Sequence, residues 1–257
     1  MKSRILYEDK DIIVCHKPAG IATQTARVGQ RDMVSEVTSY LADKEKRICA
    51  QYGVKEVEKP PYVGVIHRLD QPVEGILVFA RHKSAAAQLS RQITEEQMAK
   101  EYYAVVCGQE IPEEGELQDY LLKDGRTNLS KVVPKEVRGA KEARLRFRML
   151  QCRQENIADG QSYMIALLRI RLQTGRHHQI RVQMANAGLS LLGDRKYGDI
   201  PAVKLSEQMG LKEIALCAAR LAFAHPQTGE QMVFSIMPEG KIFAGFRQTI
   251  EIDRNKI

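Results

Sequence analysis

The chain reads as an α+β fold with a long, mixed but mainly antiparallel sheet and flanking helices. Nine strand-like runs stand against three helical ones, and the two kinds do not alternate as a doubly wound parallel sheet requires. With 257 residues, 44% hydrophobic and 28% charged, the chain can bury a substantial core, and no repeat, low-complexity tract or linker divides it. One domain over residues 1–257 is therefore expected.

In chain order, strands are expected at Arg4–Tyr7 and Ile12–His16. Helical spacing follows over Met33–Lys44, where Met33, Val34, Val37, Tyr40 and Leu41 share one face behind Asp32, a good N-cap. Lys44–Pro61 is charged, ends in Pro60-Pro61 and reads as a mobile surface loop. Strands Tyr62–Ile66 and Ile76–Ala80 flank a turn that Pro72 and Gly75 force. Ala85, Leu89 and Ile93 mark a second helix over Ser84–Gln97. Strands Tyr102–Cys107, Ala143–Leu150 and Met164–Leu172 come next, then a third helix, His177–Ala187, after Gly175. Strands Arg220–Ala224 and Gln231–Ile236 complete the set, with His225 read as a hydrogen-bonding residue at a strand end.

Composition excludes several classes. No apolar run approaches the ~18 residues of a membrane helix, and the N-terminus lacks the apolar core of a signal peptide, so a cytoplasmic location is expected. The five cysteines are odd in number, widely spaced and never arranged as CxxC, which points to reduced thiols rather than disulfides or zinc. His67, His177 and His178 have no metal-ligand spacing. Positive charge is concentrated: Lys123–Arg181 holds fourteen Lys and Arg against five Asp and Glu, while the whole chain carries +7. That is the footprint of a polyanion binder. Arg144, Arg146 and Arg148, then Arg169 and Arg171, alternate with apolar residues along two strands, so each strand has one basic face. Those faces read equally as RNA contacts or as an ordinary solvated surface.

The chemistry gathers in three segments. Val65–Glu74 contains His67-Arg68-Leu69-Asp70 on the turn between two strands, where a carboxylate sits on a rigid support. Taken alone, Asp70 reads equally as a turn residue capping its own backbone. Lys100–Gly108 opens a strand with a basic residue and Tyr102; Tyr103 alternates to the other side and is expected to be structural. Thr174–Ala185 contains Gly175-Arg176-His177-His178-Gln179-Ile180-Arg181; as a helix start it would put His178 and Arg181 on one face.

These motifs together resemble the RluA-type pseudouridine synthase family, over nearly the whole chain. His67-Arg68-Leu69-Asp70 with Gly75 is similar to its HRLD signature, Lys100-x-Tyr102-x-Ala104-x-Val106-x-Gly108 to its second motif, and Gly175–Arg181 to its third. Leu192–Gly198 and Leu221–Pro226 also agree. Two departures stand out: Gln71-Pro72-Val73-Glu74 replaces the usual Lys-Asp-Thr-Ser, and Cys217 stands where many members have His. The resemblance implies the pseudouridine synthase fold and isomerisation of uridine in structured RNA, ribosomal or transfer RNA, with Asp70 as nucleophile. It implies Tyr102 stacked on the uracil and in proton transfer, and Arg68 in the place left by the extruded base. A nearby arginine would keep the carboxylate ionised, and Arg181 is the choice. His67, Arg176, His178 and Gln179 join Arg68 as expected substrate-binding residues. A redox-neutral isomerisation without a nucleotide-binding glycine loop calls for no cofactor or metal. No S4-type RNA-binding domain, no DNA or membrane partner and a monomeric state are expected. The rival is a catalytically inactive RNA-binding protein on the same fold, which would have no use for Asp70, Tyr102 and Arg181. A hydrolase using Asp70 with His178 as base would need a second carboxylate or a metal, and no motif supplies either.

Overall fold

The strand signals become twelve strands, beside five α-helices and one short 3-10 helix, among the residues described by the computed structural model: 4–27, 29–53, 59–156 and 160–256. The α+β class and the mainly antiparallel sheet match the expectation. The chain forms two compact units, one of Met1–Met98 with Leu221–Ile236 and one of Ala99–Arg220 with Met237–Ile257.

In the first unit, β1 (Arg4–Glu8) and β2 (Ile12–Lys17) form an antiparallel hairpin. Strand β2 pairs in turn with β4 (Glu74–Ala80), His16 opposite Ile76 and Lys17 opposite Gly75. Every residue of β2 and β4 is buried, which is why both read as apolar runs rather than as alternating strands. The short β3 (Gly64–Val65) adds to β4. Helix α1 (Met33–Tyr52) starts as expected: Asp32 Oδ1 accepts the Ser35 N–H at 2.8 Å, and Ser35 Oγ accepts the Asp32 N–H at 3.0 Å.

Its end differs from the expectation. The charged stretch after Lys44 continues as helix, because Lys, Glu and Arg are good helix formers and their side chains stay in water. The stop is Gly53, in the left-handed conformation (φ 65°), whose N–H bonds to the Cys49 carbonyl. Residues 54–58 of the expected loop lie outside the described residues. Helix α2 (Lys83–Thr94) is capped by His82 and ends three residues before the expected Gln97, where Glu96 turns to positive φ.

The second unit is an antiparallel array. Strand β5 (Ala99–Gly108) pairs with β9 (Ser162–Leu172), β9 with β8 (Lys141–Asn156), β8 with β6 (Glu114–Asp124), and β6 with β7 (Leu129–Val132). Strands β6 and β7 escaped the sequence reading because they are polar and half exposed. Helices α3 (Gln179–Asn186), α4 (Ile200–Gln208) and α5 (Arg247–Arg254) complete the unit, with β10 (Ser190–Leu191) pairing with β5. Strand β11 (Leu216–Ala224) passes from this unit into the first, where β12 (Gln231–Ser235) pairs with it.

Registers sort the side chains of the second unit onto two faces. Tyr102 lies opposite Ile170, and Ile170 opposite Phe147. One residue along, Glu101 faces Arg171, Arg171 faces Arg146 and Arg146 faces Glu116. Successive side chains point to opposite faces, so the arginines lie on the face away from Tyr102. Helix α3 packs on the Tyr102 face, its Val182 against Leu121 and Ala143. Helix α5 sits on the arginine face, where Asp253 accepts from the Tyr103 hydroxyl at 2.8 Å and from Arg169 at 3.0 Å.

Candidate active site

Asp70 sits in a loop whose backbone is pinned on both sides of it. Before it, buried Thr23 uses one hydroxyl twice: Oγ1 donates to the Leu69 carbonyl at 3.0 Å and accepts the Leu69 N–H at 3.1 Å. After it, the Gln71 carbonyl accepts from the Gly20 N–H at 2.8 Å and from Lys17 Nζ at 3.2 Å. Gly20 holds φ 87°, a conformation that a side chain would strain. Within the loop, the Val73 N–H returns to the Asp70 carbonyl at 3.0 Å. The carboxylate is half-buried.

Lys17 is the unexpected member of this loop. It is fully buried, and its ammonium also bonds the carbonyls of Pro18 and Ile21 at 3.1 and 2.7 Å. Burial pulls its pKa from 10.5 down to about 8, against the opposing pull of the Asp70 and Glu74 charges. His67 is half-buried and accepts the Val78 N–H at Nε2, tying the signature segment to β4; Arg68 beside it is exposed.

In the second unit, Tyr102 is buried on β5 and Tyr103 is, as expected, the structural partner, its hydroxyl held by Asp253. Burial raises the Tyr103 pKa first, and the bond to Asp253 raises it further. Lys100, two residues before Tyr102, has its pKa lowered by burial.

The third motif departs from its expected geometry. The helix begins at Gln179, one residue too late to hold His178, which sits at its cap with φ 55°. His178 and Arg181 therefore do not meet as helix neighbours. They meet around Tyr197 instead: its hydroxyl is 2.7 Å from His178 Nδ1, and its ring lies 5.1 Å from the Arg181 guanidinium. The same hydroxyl accepts the Ser130 N–H at 2.8 Å, and Ser130 Oγ lies 2.9 Å from Nδ1 of His177, which stacks on His178.

Arg181 is itself buried and bound to Asp194 by two bonds of 2.7 Å, Nε to Oδ2 and Nη2 to Oδ1. Asp194 Oδ1 also accepts the N–H groups of Lys196 and Tyr197, so the guanidinium is held on a fixed turn. Gly193 opens that turn at φ 75°, where a Cβ would overlap the Glu213 carbonyl. Gln179 has both ends of its amide engaged: Oε1 accepts from Thr174 Oγ1 and the Arg176 N–H, each at 2.9 Å, and Nε2 donates to the Arg144 carbonyl at 3.0 Å. That makes Gln179 the brace of the loop. Arg176 is exposed, with Nε donating to the Glu142 carbonyl at 2.7 Å.

Asp9, Asp11 and His225 have ligand atoms within 4.8 Å of one another, in the first unit. His225 Nδ1 accepts the N–H groups of Gln227 and Thr228, so its Nε2 carries the proton and donates to Asp9 Oδ2 at 2.8 Å. The expected strand-end role of His225 is thus what the structure has. No helix among the described residues is long and apolar enough to cross a membrane.

Residues 11–186 match the profile of the family described as RNA pseudouridylate synthase. The chain is 31% identical over 242 residues to the tRNA pseudouridine synthase C of Haemophilus ducreyi, covering 92% of this chain and 91% of that one. The chain belongs to this family. Membership makes it an isomerase of uridine in RNA. The ribosomal large subunit pseudouridine synthase D of Zymomonas mobilis is also 31% identical, over 91% of this chain and 69% of its own length. In fold, the chain is similar to human RNA Pseudouridylate Synthase Domain Containing 4, with a TM-score of 0.67 at 22% identity over 96% of this chain and 92% of that one.

As a pseudouridylate synthase, the chain carries four further site-building residues that the sequence reading did not single out. Asp194 and Tyr197 fall inside a segment matched to the family without a role, while Lys17 ends the β2 strand and Thr23 follows it. Only Asp194 had a sequence signal available, as an acidic residue between a glycine and a basic pair.

Proposed function

We propose that the protein converts specific uridines of structured RNA, ribosomal or transfer RNA, into pseudouridine with Asp70 as the nucleophile. The observation that carries this is the Asp70 loop, a half-buried carboxylate in the HRLD signature with its backbone held at Leu69 and at Gln71. A nucleophile fixed before the substrate arrives gains rate from orientation. The Asp70 carboxylate attacks the nucleoside, the N1–C1′ bond breaks, the uracil turns, and C5 bonds to C1′ as the carboxylate is released. The hydrogen on C5 is lost and N1 ends with a proton, so atoms balance and no redox step occurs.

The other groups follow the family reading. Tyr102 stacks on the uracil and its hydroxyl serves the proton transfer at C5. Arg181 contributes a positive charge that Asp194 and Tyr197 hold in one orientation. Arg68, exposed beside the signature, fills the gap left when the target base leaves the stack, a step costing a few kcal/mol. His67, Arg176, His178 and Gln179 join Arg68 as substrate-binding residues, Gln179 also bracing its own loop. The relatives' names support both RNA classes.

The test is pseudouridine mapping of total RNA from cells with and without the gene. The reaction leaves RNA mass unchanged but creates a base that cyanoethylation labels. Loss of label at one or a few sites of ribosomal or transfer RNA is expected. Unchanged labelling in both classes would favour the inactive RNA-binding reading.

A further inference from the structure

Thr23 occupies a core position that valine would fill equally well, being 3% exposed. A hydroxyl buried there is unfavourable unless it is bonded. Both of its bonds go to one residue, Leu69, through that residue's N–H and carbonyl. They replace the ladder partner that a neighbouring strand would supply, immediately before Asp70. The base of this contact is firm as well. The first N–H groups of α1, from Met33 and Val34, donate to the Ala22 and Thr23 carbonyls at 3.0 and 3.2 Å. These are donors that a helix start leaves without intrahelical partners. The helix start thus holds Thr23, and Thr23 holds Leu69.

We propose that Thr23 is a positioning residue for the reaction, fixing the main chain from which the Asp70 carboxylate is presented. This rests on the reading of Asp70 as nucleophile. Thr23 is buried away from RNA, so it acts on the rate and leaves affinity alone. Displacing a reacting group by ~1 Å can cost about a hundredfold in rate.

The experiment compares Thr23→Val, which keeps the volume and removes both bonds, with Thr23→Ser, which keeps the hydroxyl. The probe is a tRNA or large-subunit rRNA transcript that the unaltered protein converts. Single-turnover pseudouridine formation at saturating RNA is measured beside the RNA Kd, well below each variant's melting midpoint. Expected are a ten- to hundredfold slower rate for Thr23→Val, a Kd within about twofold, and a Thr23→Ser rate within about threefold of the unaltered protein. A Thr23→Val rate within twofold of the unaltered protein overturns the proposal, as does a Thr23→Ser rate as slow as Thr23→Val. If Thr23→Val does not fold, Thr23→Ala, which differs from Thr23→Ser by the hydroxyl alone, takes its place with the same criteria. An active Asp70→Asn in the same assay removes the nucleophile reading instead. An inactive Asp70→Asn beside a fully active Thr23→Val removes the positioning role alone.

Discussion

Replacing Asp194 by asparagine probes how Arg181 is held. The two side chains are 1% and 4% exposed, and the guanidinium is bound through two parallel bonds of 2.7 Å. Removing one partner of a buried pair leaves an uncompensated charge and costs about 3–5 kcal/mol. Asparagine keeps the volume and one accepting oxygen, which places Asp194→Asn near the lower figure, about 3 kcal/mol. For a chain of this size each kcal/mol lowers the midpoint by about 2–4 °C, so the unit holding both residues should melt about 6–12 °C lower. Thermal melting followed by far-UV circular dichroism reads this. The second arm is Arg181→Met with Asp194→Leu, which replaces the pair by apolar groups of similar volume. Stability should return only in part: the buried charges go together, but the Lys196 and Tyr197 N–H groups lose their acceptor, each costing about 1–3 kcal/mol. Pseudouridine formation should be lost in this double variant, which has no guanidinium at position 181. A single Asp194→Asn variant that melts within about 2 °C of the unaltered protein would refute the reasoning on stability. An active double variant would remove Arg181 from the catalytic set.

Two further outcomes follow from other parts of the molecule. Folded Lys17 titrates at about 8 and an unfolded lysine at 10.5, so between these values the unfolded chain binds more protons and stability rises with pH. Relative to Lys17→Met, the unaltered protein should gain about 3 kcal/mol across that window and show a constant difference below it; urea titrations at intervals from pH 7 to 10.5 check this, and a flat difference throughout contradicts it. Arg148 and Arg171 face away from Tyr102, so changing both to glutamine should leave RNA affinity within about twofold and the salt slope unaltered, whereas neutralising exposed Lys123 and Arg126 should flatten the slope by up to about 0.9 for each lost phosphate contact.

What could be read from the sequence was what local chemistry decides. Asp32 capped its helix as expected because an N-cap needs only its own third neighbour. That Tyr103 points to the opposite face from Tyr102, where Asp253 holds its hydroxyl, followed from period-two alternation alone. The arginine strands show the limit of that rule. Alternation revealed their basic faces, but only the register of β8 on β9 and β9 on β5 turns those faces away from Tyr102. Helix α1 outran its expected end because solvated charge does not stop a helix, while Gly53 does. The partners of the site residues were hidden for a different reason. Thr23 meets Leu69 across 46 residues and Lys17 meets Gln71 across 54, contacts that only the tertiary fold creates. The Arg181–Asp194 pair spans 13 residues and a change of direction at Gly193, beyond any helical spacing. His178 missed its helix by one residue because its backbone turned left-handed instead.

Asp70→Asn asks directly whether the Asp70 carboxylate performs the isomerisation. The amide keeps the size of the side chain and removes the nucleophile. A transcript converted by the unaltered protein is incubated with the variant, and cyanoethylation-reactive pseudouridine is counted beside RNA binding by filter retention. No detectable pseudouridine is expected, with RNA affinity within about twofold, since phosphate contacts set affinity and a carboxylate is no partner for a phosphate. Pseudouridine formed by Asp70→Asn at more than a few per cent of the original rate contradicts the nucleophile reading.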